Sequence, residues 1–280
     1  MTSESTTSNA HTSDAKTSDA KTSDTAILTI AEAGPALETG ARPVLILHGG
    51  GGPLTVAPIA RHLSGTAHTL TPVHPGWDGT PRPAWCTGVD DLALLYLHLL
   101  EDRGLEDVLV VGSSLGGWIA AEMAVRDSAR RITGLVLIDA VGVYVEDEPI
   151  ADYFALDLRA AAELSWHDPD RYYIDPAQLP ADQLANRQAN MATMRALAGD
   201  PYMHDPKLLR RLARVRQPAL LVWGESDRIV TPAYGAAYAA AFADARLEIV
   251  PKAGHLPQLE QPEATFELID AHLRRTTTSR

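Results

Sequence analysis

The chain has 280 residues, 45% of them hydrophobic and 21% charged, with a formal net charge of -12. That length and apolar content suffice for one large α/β domain, with or without an insertion. The acidity leaves no basic stripe to neutralise phosphates, which argues against a nucleic-acid partner, and no polybasic segment to hold a membrane surface.

In chain order, the N-terminal residues are a polar repeat: TSDAK stands at 12–16 and again at 17–21. With no apolar face to bury, residues 1–24 are expected to be a disordered tail. From Thr25 the pattern changes to short apolar runs alternating with helical periods. AILTIAEAG (26–34) reads as a first strand, and a second edge strand is expected near ALETG (36–40). PVLILHGGGG (43–52) reads as a buried strand feeding a glycine loop, and HTLTPVHPG (68–76) as another strand. GVDDLALLYLHLLEDRG (88–104) has helical spacing, acids near its start and a glycine at its end. DVLVVG, GLVLIDAVG and PALLVWG are further strands, with LGGWIAAEMAVRD a helix after the first of them. PAYGAAYAAAFAD, RLEIVP and PEATFELIDAHLRR close the chain as helix, strand and helix. Apolar strands alternating with helices predict an α/β fold: a mostly parallel sheet with helices on both faces.

One segment interrupts that rhythm. Residues 143–206 carry no strand run and are rich in Ala, Asp, Tyr and Met. They are expected to form a helical cap inserted between two sheet strands, leaving 25–142 and 207–280 as the core.

Three loops carry residues with chemical potential. In GSSLG (112–116) the pattern G-x-S-x-G fits with Ser114 at its centre, between the run VLVV and a helix. So sharp a strand-to-helix turn strains its central residue and presents the hydroxyl at the tip. The flanking glycines avoid collision across the turn, whereas centring it on Ser113 would put Val111 and Leu115 there. The glycines of LILHGGGGP (45–53) let backbone N–H groups approach a developing oxyanion. A phosphate loop there would need G-x-G-x-x-G opening into a helix, or a following Gly-Lys-Ser/Thr, and Pro53 follows instead. His48 is read as shaping this loop. Asp227 lies in the loop after PALLVWG, and His255 in the loop after RLEIVP. Parallel strands deliver their C-terminal ends to one side of a sheet, so Ser114, Asp227 and His255 should meet there.

With that order of residues the chain resembles the α/β-hydrolase superfamily of serine hydrolases, over roughly residues 25–275. The resemblance implies Ser114 as nucleophile, Asp227 as acid and His255 as base. Asp139, at the end of GLVLIDA, is the alternative acid. The resemblance also implies an oxyanion hole from the N–H groups of Leu115 and Gly50, with Gly51 as the neighbouring candidate. The implied activity is hydrolysis, through an acyl-enzyme, of a small and largely apolar carbonyl compound: an ester, an enol-lactone or a vinylogous diketone. A cofactor-free perhydrolase or lyase, or a ligand-binding receptor without turnover, is the alternative on the same fold. No cofactor is implied, and no metal: His68 and His74 lack an acidic companion at ligand spacing. Candidate pocket residues are Gly51, Trp77, Tyr153, Trp166 and Met191.

The single cysteine, Cys86, excludes an internal disulfide. The chain lacks a run of 18 apolar residues and its first 25 lack an apolar secretory segment, so the expected compartment is the cytoplasm. Nothing in the sequence addresses the oligomeric state.

Overall fold

The computed structural model describes residues 23–277. Its elements in chain order are β1 (Thr29–Ala33), β2 (Pro43–Leu47), α1 (Ala57–Leu63), β3 (His68–Val73), α2 (Val89–Asp102), β4 (Val108–Ser113), α3 (Leu115–Arg126) and β5 (Ile132–Ile138). Then come α4 (Leu158–Ser165), α5 (Pro169–Tyr172), α6 (Ala181–Ala198) and α7 (Leu208–Arg211). β6 (Ala219–Gly224), α8 (Pro232–Ala240), β7 (Ala245–Val250), α9 (Pro257–Glu260) and α10 (Pro262–Thr277) complete the chain.

The seven strands form one sheet in the order β1-β3-β2-β4-β5-β6-β7. Every pairing is parallel except β1 with β3, which is antiparallel at the edge. Along the central strands alternate residues enter two different cores. Leu45, Leu47, Val108, Val110, Leu135, Leu137 and Leu221 pack on the side of α2, α3 and α8. Val44, Ile46, Leu109, Val111, Val136, Ile138, Leu220 and Val222 pack on the side of α1 and α10. Burial on both faces is why these strands read as continuous apolar runs rather than alternating ones. Each such Leu, Ile or Val contributes roughly 1.5–3 kcal/mol by leaving water.

α2 starts where Asp91 Oδ2 accepts from the backbone N–H groups of Thr87 and Gly88, at 2.7 and 3.2 Å. Two anionic residues in that first turn, Asp90 and Asp91, also favour the positive end of the helix. Between β5 and β6 the described chain contains the helices α4 to α7 and short turns, with no strand longer than an isolated bridge.

Two edge details differ from expectation. Residues 36–40 are a single 3-10 turn, Leu37–Thr39, closed by Gly40 at φ 83°, and not a second edge strand. The segment is short and exposed, and the left-handed Gly40 turns the chain before an extended run can form. Of the expected tail, residues 1–22 lie outside the described residues. Ser23 and Asp24 belong to a 3-10 turn, and the Ser23 and Thr25 hydroxyls donate to Asp102 at 2.5 and 2.6 Å. Among the described residues no helix is long and apolar enough to cross a membrane.

Candidate active site

Ser114 stands between the end of β4 and the start of α3, at φ 55° and ψ -116°. That backbone region is costly for a residue with a side chain, so the surroundings must impose it. They do so through close approach. A Cβ on Gly112 would lie 2.2 Å from the Gly116 carbonyl oxygen, and one on Gly116 would lie 2.1 Å from the Leu47 carbonyl oxygen. Only hydrogen fits at either place, so the two glycines let β4, β2 and α3 converge and leave Ser114 at the tip.

Two more loops converge on this tip. Asp227 follows β6 and is 2% exposed; His255 follows β7 and is 9% exposed. His255 Nε2 lies 2.9 Å from Ser114 Oγ, and His255 Nδ1 lies 2.8 Å from Asp227 Oδ2. The carboxylate demands a proton on Nδ1, which leaves Nε2 as the acceptor for the Ser114 hydroxyl. Asp227 is held in turn by its own loop, since Oδ1 accepts from the N–H groups of Ile229 and Val230 at 2.8 and 3.2 Å. The side chains expected to meet do meet.

The glycine loop lies against the same tip: a Cβ on Gly49 would be 3.0 Å from the Ser114 Cβ. The next peptide carries the Gly50 N–H, which has no hydrogen-bond acceptor among the described residues. Leu115 is the first residue of α3, where the N–H has no partner inside the helix. Gly51 is one residue further out, exposed, and close to Thr55.

A buried pair of histidines fixes this loop. His48 and His74 are both fully buried and stack at 3.7 Å between ring centroids. His48 Nδ1 donates to the Gly49 carbonyl at 2.7 Å, and its Nε2 accepts from the His74 N–H at 3.1 Å. His74 Nε2 donates to the His48 carbonyl at 2.9 Å, and its Nδ1 accepts from the Tyr96 hydroxyl at 2.5 Å. Each ring therefore uses one nitrogen as an acceptor and is neutral. Burial pulls His48 down to about 4 and holds His74 well below the ordinary histidine range.

The remaining candidates spread out. Trp77 is fully buried beneath the loop, where its indole N–H donates to the Gly50 carbonyl at 2.9 Å. Its place is under the glycines, not at an open pocket edge, and the bond satisfies the indole N–H that burial removes from water. Tyr153 and Met191 are half-buried against the main core. Trp166 stacks on Tyr172 at 4.5 Å, and its Cα would be 2.9 Å from a Cβ on Gly254. Met194 of α6, not the candidate Met191, approaches the glycine loop: its Sδ would be 2.3 Å from a Cβ on Gly50. On a helix the choice between two methionines three residues apart depends on how the helix is rolled, which local pattern leaves open.

Sequence reasoning also passed over Glu260. Its carboxylate accepts from the N–H of Gly254 at 2.6 Å, of His167 at 3.0 Å and of Asp168 at 3.2 Å. It thereby joins the His255 loop to the segment after α4. Ser165 adds to that junction, its carbonyl accepting from the His255 N–H at 2.6 Å. The signal available was only an acid five residues after the histidine.

Ligand atoms of Asp139, Asp227 and His255 fall within 4.8 Å of one another, the one such trio among the described residues. His255 Nδ1 and Asp227 Oδ2, two atoms a cation would take, are committed to each other. A separate cleft lined by Val125, Lys207, Arg210, Arg211 and Arg214 opens at the far end of α3 from Ser114.

Residues 44–268 match the model of the alpha/beta hydrolase family, and the chain belongs to that family. A pimeloyl-(acyl-carrier protein) methyl ester esterase from Aromatoleum aromaticum is 30% identical over 83% of this chain and 99% of its own length. A 2-hydroxy-6-oxononadienedioate/2-hydroxy-6-oxononatrienedioate hydrolase 2 from Pseudomonas putida is 27% identical over 83% of this chain and 88% of its own. The acetyltransferase component (dihydrolipoyllysine-residue) of the acetoin cleaving system of Cupriavidus necator is 28% identical over 84% of this chain. The chain spans only 64% of that relative's length. Among solved structures, a meta-cleavage product hydrolase from Pseudomonas fluorescens IP01 has the same fold, with a TM-score of 0.73 at 17% identity, over 89% of this chain and 94% of its own.

Proposed function

We propose that the chain is a serine hydrolase that cleaves a small, largely apolar carbonyl compound through an acyl-enzyme. The observation that carries this reading is the unbroken hydrogen-bond chain from Ser114 Oγ through the His255 ring to Asp227. As the Ser114 oxygen attacks a carbonyl carbon, its proton passes to His255 Nε2. Asp227 keeps the ring in the required tautomer and stabilises the imidazolium. The Gly50 and Leu115 N–H groups receive the charge that develops on the substrate oxygen. His255 then returns the proton to the leaving group, and a water molecule repeats the sequence to release the acid.

Residues 143–206 act as a cap over this centre. Helix α6 is tied to the loop around Trp77: the Nδ2 groups of Asn186 and Asn190 both donate to Asp78 Oδ1 at 2.8 Å, and the Thr193 hydroxyl donates to the Gly76 carbonyl at 3.0 Å. Met194 brings an apolar surface up to Gly50. That surface favours a substrate apolar beside its reacting carbonyl, and the flexible thioether tolerates varied shapes. Carboxylic esters are the first class to try, and the Aromatoleum relative is a methyl ester esterase.

The test is a panel of aryl esters, lactones and vinylogous diketones, with Ser114→Ala as blank. Turnover of at least one class, lost in the variant, supports the reading. Turnover that survives in the variant, or saturable binding with no turnover of any class, overturns it.

A further inference from the structure

The mechanism above leaves one buried carboxyl unused. Asp139 follows β5 at φ 43° and is fully buried. Its Oδ1 accepts from the Gly224 N–H at 2.9 Å. Its Oδ2 is shut away from solvent with no hydrogen-bond donor aimed at it among the described residues. What stands beside it is the Asp227 carboxyl, with a carboxylate oxygen of each residue within 4.8 Å of the other. Both Asp227 oxygens are already acceptors, Oδ1 from two loop N–H groups and Oδ2 from His255.

Two ionised carboxylates packed together without a donor between them repel, and the second ionisation is suppressed. An orphaned acceptor oxygen in a sealed site is itself costly. One proton on Asp139 Oδ2 removes both problems, because it turns the orphan into a donor facing an acceptor with lone pairs to spare.

We propose that Asp139 is a neutral carboxylic acid that donates a hydrogen bond to the Asp227 carboxylate, adding a fourth link to Ser114, His255 and Asp227. The inference rests on the catalytic reading of Asp227 given above. Asp139 does not touch the reacting atoms; it is a positioning residue that orients Asp227 and spreads its charge. The charged groups facing Asp139 are Asp227, His255 and, more distantly, Glu260. Burial, and then the charge of Asp227, hold the Asp139 carboxyl well above the usual carboxylate range; only the Gly224 N–H pulls the other way.

Asparagine is the close mimic of a protonated aspartic acid, keeping the acceptor for Gly224 and offering N–H to Asp227. Infrared difference spectra of the intact protein at neutral pH, wild type minus Asp139→Asn, should show a carboxylic-acid carbonyl band that the variant lacks. This measurement needs no substrate, so it decides the protonation state even if no activity is found. Loss of carboxylate bands instead would overturn the proposal.

Kinetics test the positioning role. Asp139→Asn should keep kcat within about threefold and leave the acid limb of kcat/KM where it was. Were Asp139 ionised, the same change would remove a negative charge near the imidazole and move that limb down by about one pH unit or more. Asp139→Ala, checked as folded by circular dichroism, should lose about tenfold or more in kcat with KM little changed. A folded Asp139→Ala variant with wild-type kcat and an unmoved acid limb would also sink the idea.

Discussion

Gln258 donates from Nε2 to the hydroxyl of Ser113 at 3.2 Å, so the serine next to Ser114 is already engaged with α9. Ser113 is fully buried, whereas Ser114 is not. Two adjacent hydroxyls thus have separate partners, one structural and one at the tip of the turn. Ser114→Ala should abolish turnover and labelling by a serine-directed phosphonate, a loss on the order of 10⁶ in kcat. Ser113→Ala should cost no more than about tenfold, or roughly 1.4 kcal/mol. Mass spectrometry of the labelled peptide reads the outcome directly; an adduct on Ser113 would reassign the nucleophile.

Asp227→Asn should lower kcat by on the order of 10⁴. The amide favours a hydrogen bond from its N–H to Nδ1, which moves the ring proton to Nε2 and blocks acceptance from Ser114. Steady-state kinetics on the best substrate of the panel measures this. A loss of less than about tenfold would mean that Asp227 does not set the tautomer.

Glu260→Gln should weaken catalysis without touching the reacting atoms. The amide has one acceptor oxygen where the carboxylate serves three backbone N–H groups on two segments. The Gly254 and His167 segments should loosen relative to each other, lowering kcat by about tenfold and stability by about 1–3 kcal/mol. Urea unfolding and kinetics on the same preparation check both; unchanged values in each would show that the junction holds without Glu260.

The buried histidine pair makes stability depend on pH. An unfolded chain protonates His48 near the reference value of roughly 6.5, but the folded chain resists protonation until about 4. Between these limits the unfolded state binds more protons, so stability is full above the upper one and falls as pH drops toward the lower. For His48 the loss is on the order of 3 kcal/mol, and His74 adds to it in the same direction. Urea midpoints taken at steps across this window should fall steadily, with a shallower slope in His48→Asn. A flat profile would show that the pair is protonated without cost.

Much of this is legible in the sequence because it is local. β2, β4, β5 and β6 are apolar on both faces, so their runs are unambiguous, and the spacing of Gly112 and Gly116 around Ser114 is a steric demand of one turn. Asp227 and His255 could be placed because a parallel sheet sends its C-terminal strand ends to one side. What escaped is long-range. Trp77 reads as a pocket-edge aromatic in HPGWDGTP until its bond to the Gly50 carbonyl is known. The stacking of His48 on His74 joins two strand ends 26 residues apart. The ALETG stretch failed as a strand because a 3-10 turn closed by Gly40 takes those residues instead, a local choice that composition does not record.

The bond between His255 Nε2 and Ser114 Oγ spans 141 residues. His255 also follows β7, the edge strand, which pairs only with β6. In vectorial synthesis the turn, the glycine loop and the central strands leave the ribosome before His255 does. A nascent chain is therefore unarmed even where its sheet has begun to assemble. After denaturation, the return of activity should time the docking of β7 rather than the collapse of the core, and a nick between β6 and β7 should disarm the protein while most of its sheet still stands.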